Sequence, residues 1–174
     1  VAVMPKPVIT VAGPTAICIG TTTTLNANTT GTWESVNDAV ATINATTGVV
    51  TGVGAGTTQF IFTSSDGCTS LPSANITVNP KPIVVNGAAT ICVGATTQLN
   101  PTVGGSWASS SLAIATVTNT GIVTGVDVGS ATFIFTNATT GCASDPSNAV
   151  AVTAGPPVTI ADTELCIGET TTLT

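Results

Sequence analysis

The sequence lacks His, Tyr and Arg altogether, and its only basic side chains are Lys6 and Lys81. Without His and Tyr, the commonest general bases and most nucleophilic triads are excluded. Two Lys cannot build a phosphate-binding surface or a polybasic membrane anchor, so neither nucleic acid nor an anionic bilayer is an expected partner. Charge is scarce in both signs, at 6% of residues with a net of −6. Mean hydropathy is high, at +0.53, yet Thr, Ser, Asn or Gly interrupts every apolar run. None approaches the roughly 18 residues that a membrane helix needs. Helical stretches rich in Leu, Glu, Lys and Arg are missing too.

What is present is β-forming. Thr makes up about a fifth of the residues, and Val and Ile are abundant. Side chains branched at Cβ suit a pleated surface, and the regularly spaced Gly and Pro mark turns between short strands. The expected class is all-β.

Self-similarity organises the chain. Cys18 to Cys92 and Cys92 to Cys166 each span 74 residues, and Trp33 to Trp107 and Cys68 to Cys142 keep that distance. Ile17-Cys18-Ile19-Gly20 returns as Ile91-Cys92-Val93-Gly94 and within Leu165-Cys166-Ile167-Gly168. Gly48-Val49-Val50-Thr51-Gly52-Val53 returns as Gly121-Ile122-Val123-Thr124-Gly125-Val126, and Phe60-Ile61-Phe62-Thr63 as Phe133-Ile134-Phe135-Thr136. Such periodicity is the mark of tandem units. The division it predicts is the last strand of a preceding repeat in 1–5, full repeats in 6–80 and 81–155, and the start of a truncated third in 156–174. Pro5-Lys6-Pro7, Pro80-Lys81-Pro82 and Gly155-Pro156-Pro157 read as short, stiff, extended connectors, which predicts a rod.

In the first full repeat, strands are expected near 8–12, 21–27, 31–35, 40–44, 48–53, 57–63 and 74–79. Their close spacing is that of a β-sandwich. Alternation turns Leu25, Ala27, Trp33, Ala41, Ile43, Phe60 and Phe62 inward, with Leu99, Trp107, Ala115, Val117, Phe133 and Phe135 as counterparts. Ile61 and Ile134 then point outward, as candidates for lateral packing into a fibre, with cover by a neighbouring loop as the alternative.

A unit of this size has a limited core. Four cysteines permit three connectivities, and the expectation that places the same bridge in every repeat joins Cys18 to Cys68 and Cys92 to Cys142. Each loop of about 50 residues would add roughly 4 kcal/mol by chain entropy. Cys166 is then left unpaired by truncation. Disulfides place the chain outside the cytoplasm.

Thr24-Leu25-Asn26-Ala27, Trp33-Glu34-Ser35, Ala41-Thr42-Ile43, Gly48 to Val53 and Gly56-Thr57-Thr58-Gln59-Phe60 together resemble the bacterial immunoglobulin-like group 2 module. Trp107-Ala108-Ser109-Ser110 and Gly129-Ser130-Ala131-Thr132 fit its pattern slightly better. The resemblance covers most of each repeat. It implies tandem immunoglobulin-like sandwiches in adhesin stalks or intimin- and invasin-like rods. The added cysteine pair resembles the variant in large surface proteins of gliding bacteria exported by the type IX system.

Other chemistry is thin. The eight acids are scattered, and no carboxylate position recurs in both repeats, so neither a glycosidase pair nor a repeated calcium site is expected. Without His, and with cysteines far apart, no metal, catalytic residue or cofactor is expected. Asn28, Asn44, Asn75 and Asn137 lie in Asn-x-Ser/Thr sequons, candidates for glycosylation. The leading expectation is a non-catalytic stalk or filament segment of an extracellular bacterial surface adhesin, serving adhesion or gliding. Its partners would be neighbouring repeats, other copies in a fibre, and surface glycans or proteins reached through regions beyond this segment. The alternatives are a glycan- or protein-binding module and a spacer within a secreted enzyme.

Overall fold

A computed structural model describes residues 4–156. All seventeen strands among them belong to β-sheets, and no helix is present in this range. They fall into two sets with separate cores, here called unit 1 and unit 2.

In unit 1, β1 (Ile9–Val11), β3 (Thr22–Ala27), β6 (Val49–Gly52) and β5 (Ala41–Ile43) form one antiparallel sheet in the order β1-β3-β6-β5. The facing layer holds β2 (Ala16–Cys18), β9 (Ile76–Asn79) and β7 (Gly56–Thr58), beside the pair β4 (Gly31–Ser35) and β8 (Phe60–Ser64). This is an immunoglobulin-like sandwich. β2 runs parallel to β9, with Cys18 opposite Asn79.

Unit 2 repeats the plan. β11 (Thr96–Gln98), β14 (Ile122–Gly125) and β13 (Ala115–Val117) form one sheet. β10 (Thr90–Cys92), β17 (Val150–Thr153) and β15 (Gly129–Ala131) form another, and β12 (Gly105–Ser109) pairs with β16 (Phe133–Asn137). The counterpart of β1 is reduced to a single bridge between Val85 and Asn100. Pro101 explains this: it stands where unit 1 has Ala27, the partner of Ile9. Having no N–H and a fixed φ, it stops the ladder that β3 continues.

Two expectations for the strands need correction. The stretch 57–63 is two strands that change partners at Gln59, from β9 to β4. The Gln59 side-chain amide donates to the Ser73 carbonyl, holding the corner. β2 falls outside the expected strands, because a three-residue strand between Pro14 and Gly20 gives alternation too short a window.

The inward faces are as alternation predicts. Leu25, Trp33, Ala41, Phe60 and Phe62 are buried in unit 1, as are Leu99, Trp107, Ala115, Phe133 and Phe135 in unit 2. Ala27, Ile43 and Val117 are partly buried against their cores. Trp33 faces Phe62 across β4 and β8 with ring centroids 4.8 Å apart, and Trp107 faces Phe135 at 5.1 Å. Such tilted pairs add about 1 kcal/mol beyond their buried area. Gly48, at φ +69°, closes the turn before β6, and a Cβ there would run into the Leu25 carbonyl and lie 3.1 Å from Trp33 Nε1. Only glycine fits.

The outer edge of β8 is closed by a strap. Ser70 and Phe62 exchange backbone N–H and Oγ contacts: Ser70 N donates to Phe62 O at 2.8 Å, and Phe62 N donates to Ser70 Oγ at 3.0 Å. Ser73 does the same to Phe60, and Ser144 and Ser147 repeat the arrangement on Phe135 and Phe133. Pro72 and Pro146, between the serines, present no N–H for further pairing. The shared word Ser-x-Pro-Ser carries this feature. Ser147→Ala should leave the buried Phe133 N–H without a partner and destabilise unit 2 by about 1–3 kcal/mol, read from its urea midpoint.

One buried hydroxyl has no partner among the described residues, that of Thr23. Its counterpart, Thr97 Oγ1, accepts a hydrogen bond from Ala88 N at 2.7 Å. Unit 1 has Pro14 where unit 2 has Ala88, and proline has no N–H to give. Thr23→Val should therefore stabilise unit 1 by about 1 kcal/mol, while Thr97→Val should destabilise unit 2 by a similar amount. A thermal melt of each variant checks the opposite signs.

Candidate functional site at the junction between the two units

Two cysteines meet between the units. Cys18 is bonded to Cys142, with Cα atoms 5.6 Å apart and 124 residues between them in sequence. Cys68 and Cys92 are free and half-buried. The expected bridges Cys18–Cys68 and Cys92–Cys142 are therefore corrected: the cystine joins unit 1 to unit 2. Cys166 lies outside the described residues.

The reason is where each cysteine sits along its sandwich. Cys18 ends β2 beside Asn79, the last residue of β9, where the chain leaves unit 1. Ile19 N donates to Asn79 O, Gly20 N donates to Gly52 O, and the Thr21 hydroxyl bonds the Cys18 backbone at 2.9 Å. These contacts fix the Cys18 turn at the trailing pole. Cys68 lies at the other pole, in the turn after β8, where it lines a cleft with Met4, Pro5, Lys6 and Pro7. A disulfide needs its Cα atoms within about 7 Å. The length of the sandwich separates Cys18 from Cys68.

Cys142 occupies in unit 2 the place of Cys68 in unit 1, at the leading pole. Asn137 Oδ1 accepts from Thr139 N and Thr140 N, and Asn137 N donates to Cys142 O. The tight turn that results holds a fully buried Cys142 against unit 1. In unit 1 Ser64 takes over the role of Asn137, its Oγ accepting from Cys68 N.

The connector is short. Asn79 is the last residue paired in unit 1, and Lys81 is already held by unit 2 through an ion pair with Asp145. Asn86 Nδ2 donates to Asn148 O at 2.7 Å, further fastening the segment. Asp145 is 76% exposed, so the ion pair orients the connector and contributes at most about 1 kcal/mol. Spacing alone gave no sign of it, because the equivalent of Asp145 in unit 1 is Leu71, which lines a groove with Lys6. The junction is thus tied twice, by the chain itself and by the cystine.

The remaining candidates are placed separately. Ile61 and Ile134 point away from the cores, opposite Glu34 and Ala108, with Ile61 half-buried and Ile134 exposed. Asn28, Asn44 and Asn75 are exposed, and Asn137 is half-buried in the junction turn. Asn28 Oδ1 accepts from Val8 N, and Asn44 Oδ1 from Thr46 N and Thr47 N. No group of three or more His, Cys, Asp or Glu that could hold a metal ion occurs among the described residues. Nor is any helix there long and apolar enough to cross a membrane.

No curated protein sequence matches the chain. Among solved structures, the C-terminal fragment of intimin, in complex with the intimin-binding domain of the translocated intimin receptor, is 31% identical. It covers 45% of this chain and 30% of its own, at a TM-score of 0.34. An intimin mutant from enterohaemorrhagic O157:H7 is 23% identical over 48% of this chain and 51% of its own, at 0.37. The S-layer protein SbsC is 23% identical over 79% of this chain and 24% of its own, at 0.30. This chain thus spans between a quarter and a half of their lengths. The family model described as bacterial Ig-like domain (group 2) matches residues 72–145. That stretch opens ahead of β9, a strand of unit 1, and closes before β17, so it is offset by one strand from the sandwich that folds around the second core. Residues 72–145 therefore carry the sequence pattern of a bacterial immunoglobulin-like domain of group 2.

Proposed function

We propose that the chain is a non-catalytic structural segment of an extracellular bacterial surface protein, a stalk that holds binding regions away from the cell and transmits force along its axis. The observation that carries this reading is the cystine between the trailing pole of one sandwich and the leading pole of the next. A covalent tie at adjoining poles favours an end-to-end arrangement and limits hinging at Pro80, the one residue between Asn79 and Lys81. Folding bodies at 6–80 and 81–155 belong to this reading, supported by the two separate cores. So does an oxidising location, since a bridge of this kind persists outside the cytoplasm.

The burial of Trp33 and Trp107, at 7% and 8% exposed, supports a structural role over a sugar-binding one. Both rings pack against a core phenylalanine, Trp33 on Phe62 and Trp107 on Phe135. The resemblance to surface proteins of gliding bacteria extends the reading to adhesion or gliding after type IX export. Side-by-side packing of stalks would use Ile61 and Ile134.

Small-angle X-ray scattering tests the shape. An elongated particle whose maximum dimension holds between low and high salt is expected. A particle no longer than a single sandwich, with the units folded side by side, would overturn the reading.

A further inference from the structure

We propose that Cys68 and Cys92 are the two halves of the same inter-unit disulfide, and that each takes as its partner the opposite pole of another unit of this kind. The inference deepens the stalk reading and rests on it. A free cysteine alone would carry nothing, but here its bonded twin is present in the same molecule. Cys92 ends β10 opposite Thr153, the last residue of β17, as Cys18 ends β2 opposite Asn79. Val93 N donates to Thr153 O, as Ile19 N donates to Asn79 O. Cys68 follows β8 as Cys142 follows β16, and the residues around it are fixed in the same way, with Ser64 N donating to Cys68 O and Asn137 N to Cys142 O. The trailing-pole half and the leading-pole half that bond in Cys18–Cys142 are therefore both present a second time, unbonded and half-buried.

They cannot bond to each other within one chain. Cys68 lies beside residues 4–7, at the leading end of unit 1, and Cys92 at the trailing end of unit 2. Between two copies the same poles can meet, trailing Cys92 of one against leading Cys68 of the other. That contact is heterologous and repeats head to tail, so it builds a filament rather than a closed dimer.

Along a continuous array the consequence is mechanical. A trailing cysteine bonded to the leading cysteine of the next unit makes each bridge overlap the following one, as an arc from 18 to 142 overlaps an arc opening at 92. The covalent route along such an array hops from bridge to bridge. Only the residues between a leading cysteine and the trailing cysteine of the unit after it stay in line with the force, as the 24-residue separation of Cys68 and Cys92 illustrates.

The bond forms by thiol–disulfide exchange with a small disulfide such as oxidised glutathione. The Cys92 thiolate attacks the small disulfide and releases one thiolate. The Cys68 thiolate of the second copy then attacks the Cys92 sulfur of the mixed disulfide and releases the other. Two protein thiols are oxidised, one small disulfide is reduced to two thiols, and the two protons of the protein thiols end on the released small thiols.

The test uses the full chain in a Cys166→Ser background, with two variants at high concentration in a glutathione redox buffer. Cys68→Ser leaves Cys92 as the free thiol, and Cys92→Ser leaves Cys68. Tryptophan fluorescence establishes that both remain folded. Each variant alone is expected to stay monomeric on a non-reducing gel. Their mixture should form a dimer whose digest contains the Cys68–Cys92 peptide. Two outcomes would overturn the inference: a mixture that stays monomeric with glutathione-capped thiols, or either variant dimerising alone as readily as the mixture. If scattering still shows an elongated monomer in those cases, the stalk reading stands and only this inference falls.

Discussion

Stretched by its two ends in non-reducing buffer, the chain is expected to show a missing length. Force entering from the N-terminal side reaches Cys18, crosses the disulfide to Cys142 and leaves towards the C-terminal side. The segment between the two cysteines never comes under load, however far the sandwiches unravel. At 124 residues of separation and about 3.5 Å per residue, the hidden contour length is about 430 Å. Adding a reductant, or replacing both Cys18 and Cys142 by Ser, should restore it in full. Bridges within each unit would instead leave the 24 residues from Cys68 to Cys92 extensible, worth about 80 Å. A force-extension curve in non-reducing buffer that lengthens by this extra amount would point to intra-unit bridges.

The second large effect lies in the cores. Phe60 and Phe133 are fully buried, each at the start of the strand that carries the ring facing Trp33 or Trp107. Replacing a buried Phe by Ala removes its transfer free energy and leaves a cavity, destabilising by about 3–5 kcal/mol. A unit of this size has a total stability of about 4–11 kcal/mol. Phe60→Ala should therefore remove a large part of the stability of unit 1 and little of unit 2, since the two cores share no residue. Urea unfolding resolves this, because Trp33 reports on unit 1 and Trp107 on unit 2. In a Trp107→Phe background the Trp33 transition should move to much lower urea. In a Trp33→Phe background the Trp107 transition should hardly move. Equal shifts in both would mean that the units fold as a single body.

Much of this architecture is legible in the residues. β-Branched composition gives the class, and the 74-residue period gives the repeat. Alternation places Leu25, Trp33, Phe60 and Phe62 inside with Ile61 outside, because one face of each strand is buried and the other is not. The features that escape are those in which local pattern is silent. β2 has too few residues to show a period. The corner at Gln59 keeps β propensity on both sides, so nothing marks the change of partner. The strap of Ser70 and Ser73 uses small polar residues that read as loop until the edge of β8 appears beside them.

The cystine escapes for a deeper reason. In a periodic sequence, a bridge from each trailing cysteine to the leading cysteine of its own unit and a bridge to that of the next unit repeat with the same 74-residue period. Translation along the array leaves both patterns unchanged, so spacing cannot choose between them. Geometry chooses, by placing Cys18 and Cys68 at opposite poles. The Lys81–Asp145 pair was hidden differently, since unit 1 has Leu71 in place of the acid and no repeat points to it.

Mass mapping of the unreduced protein decides the connectivity. Two Lys and no Arg leave trypsin almost nothing to cut, so pepsin at acid pH, which also suppresses disulfide exchange, is the suitable protease. A linked pair containing Ile17-Cys18-Ile19 and Gly141-Cys142-Ala143, which reduction separates, is the expected result. A pair joining Cys18 to Cys68, with Cys92 joined to Cys142, would contradict it.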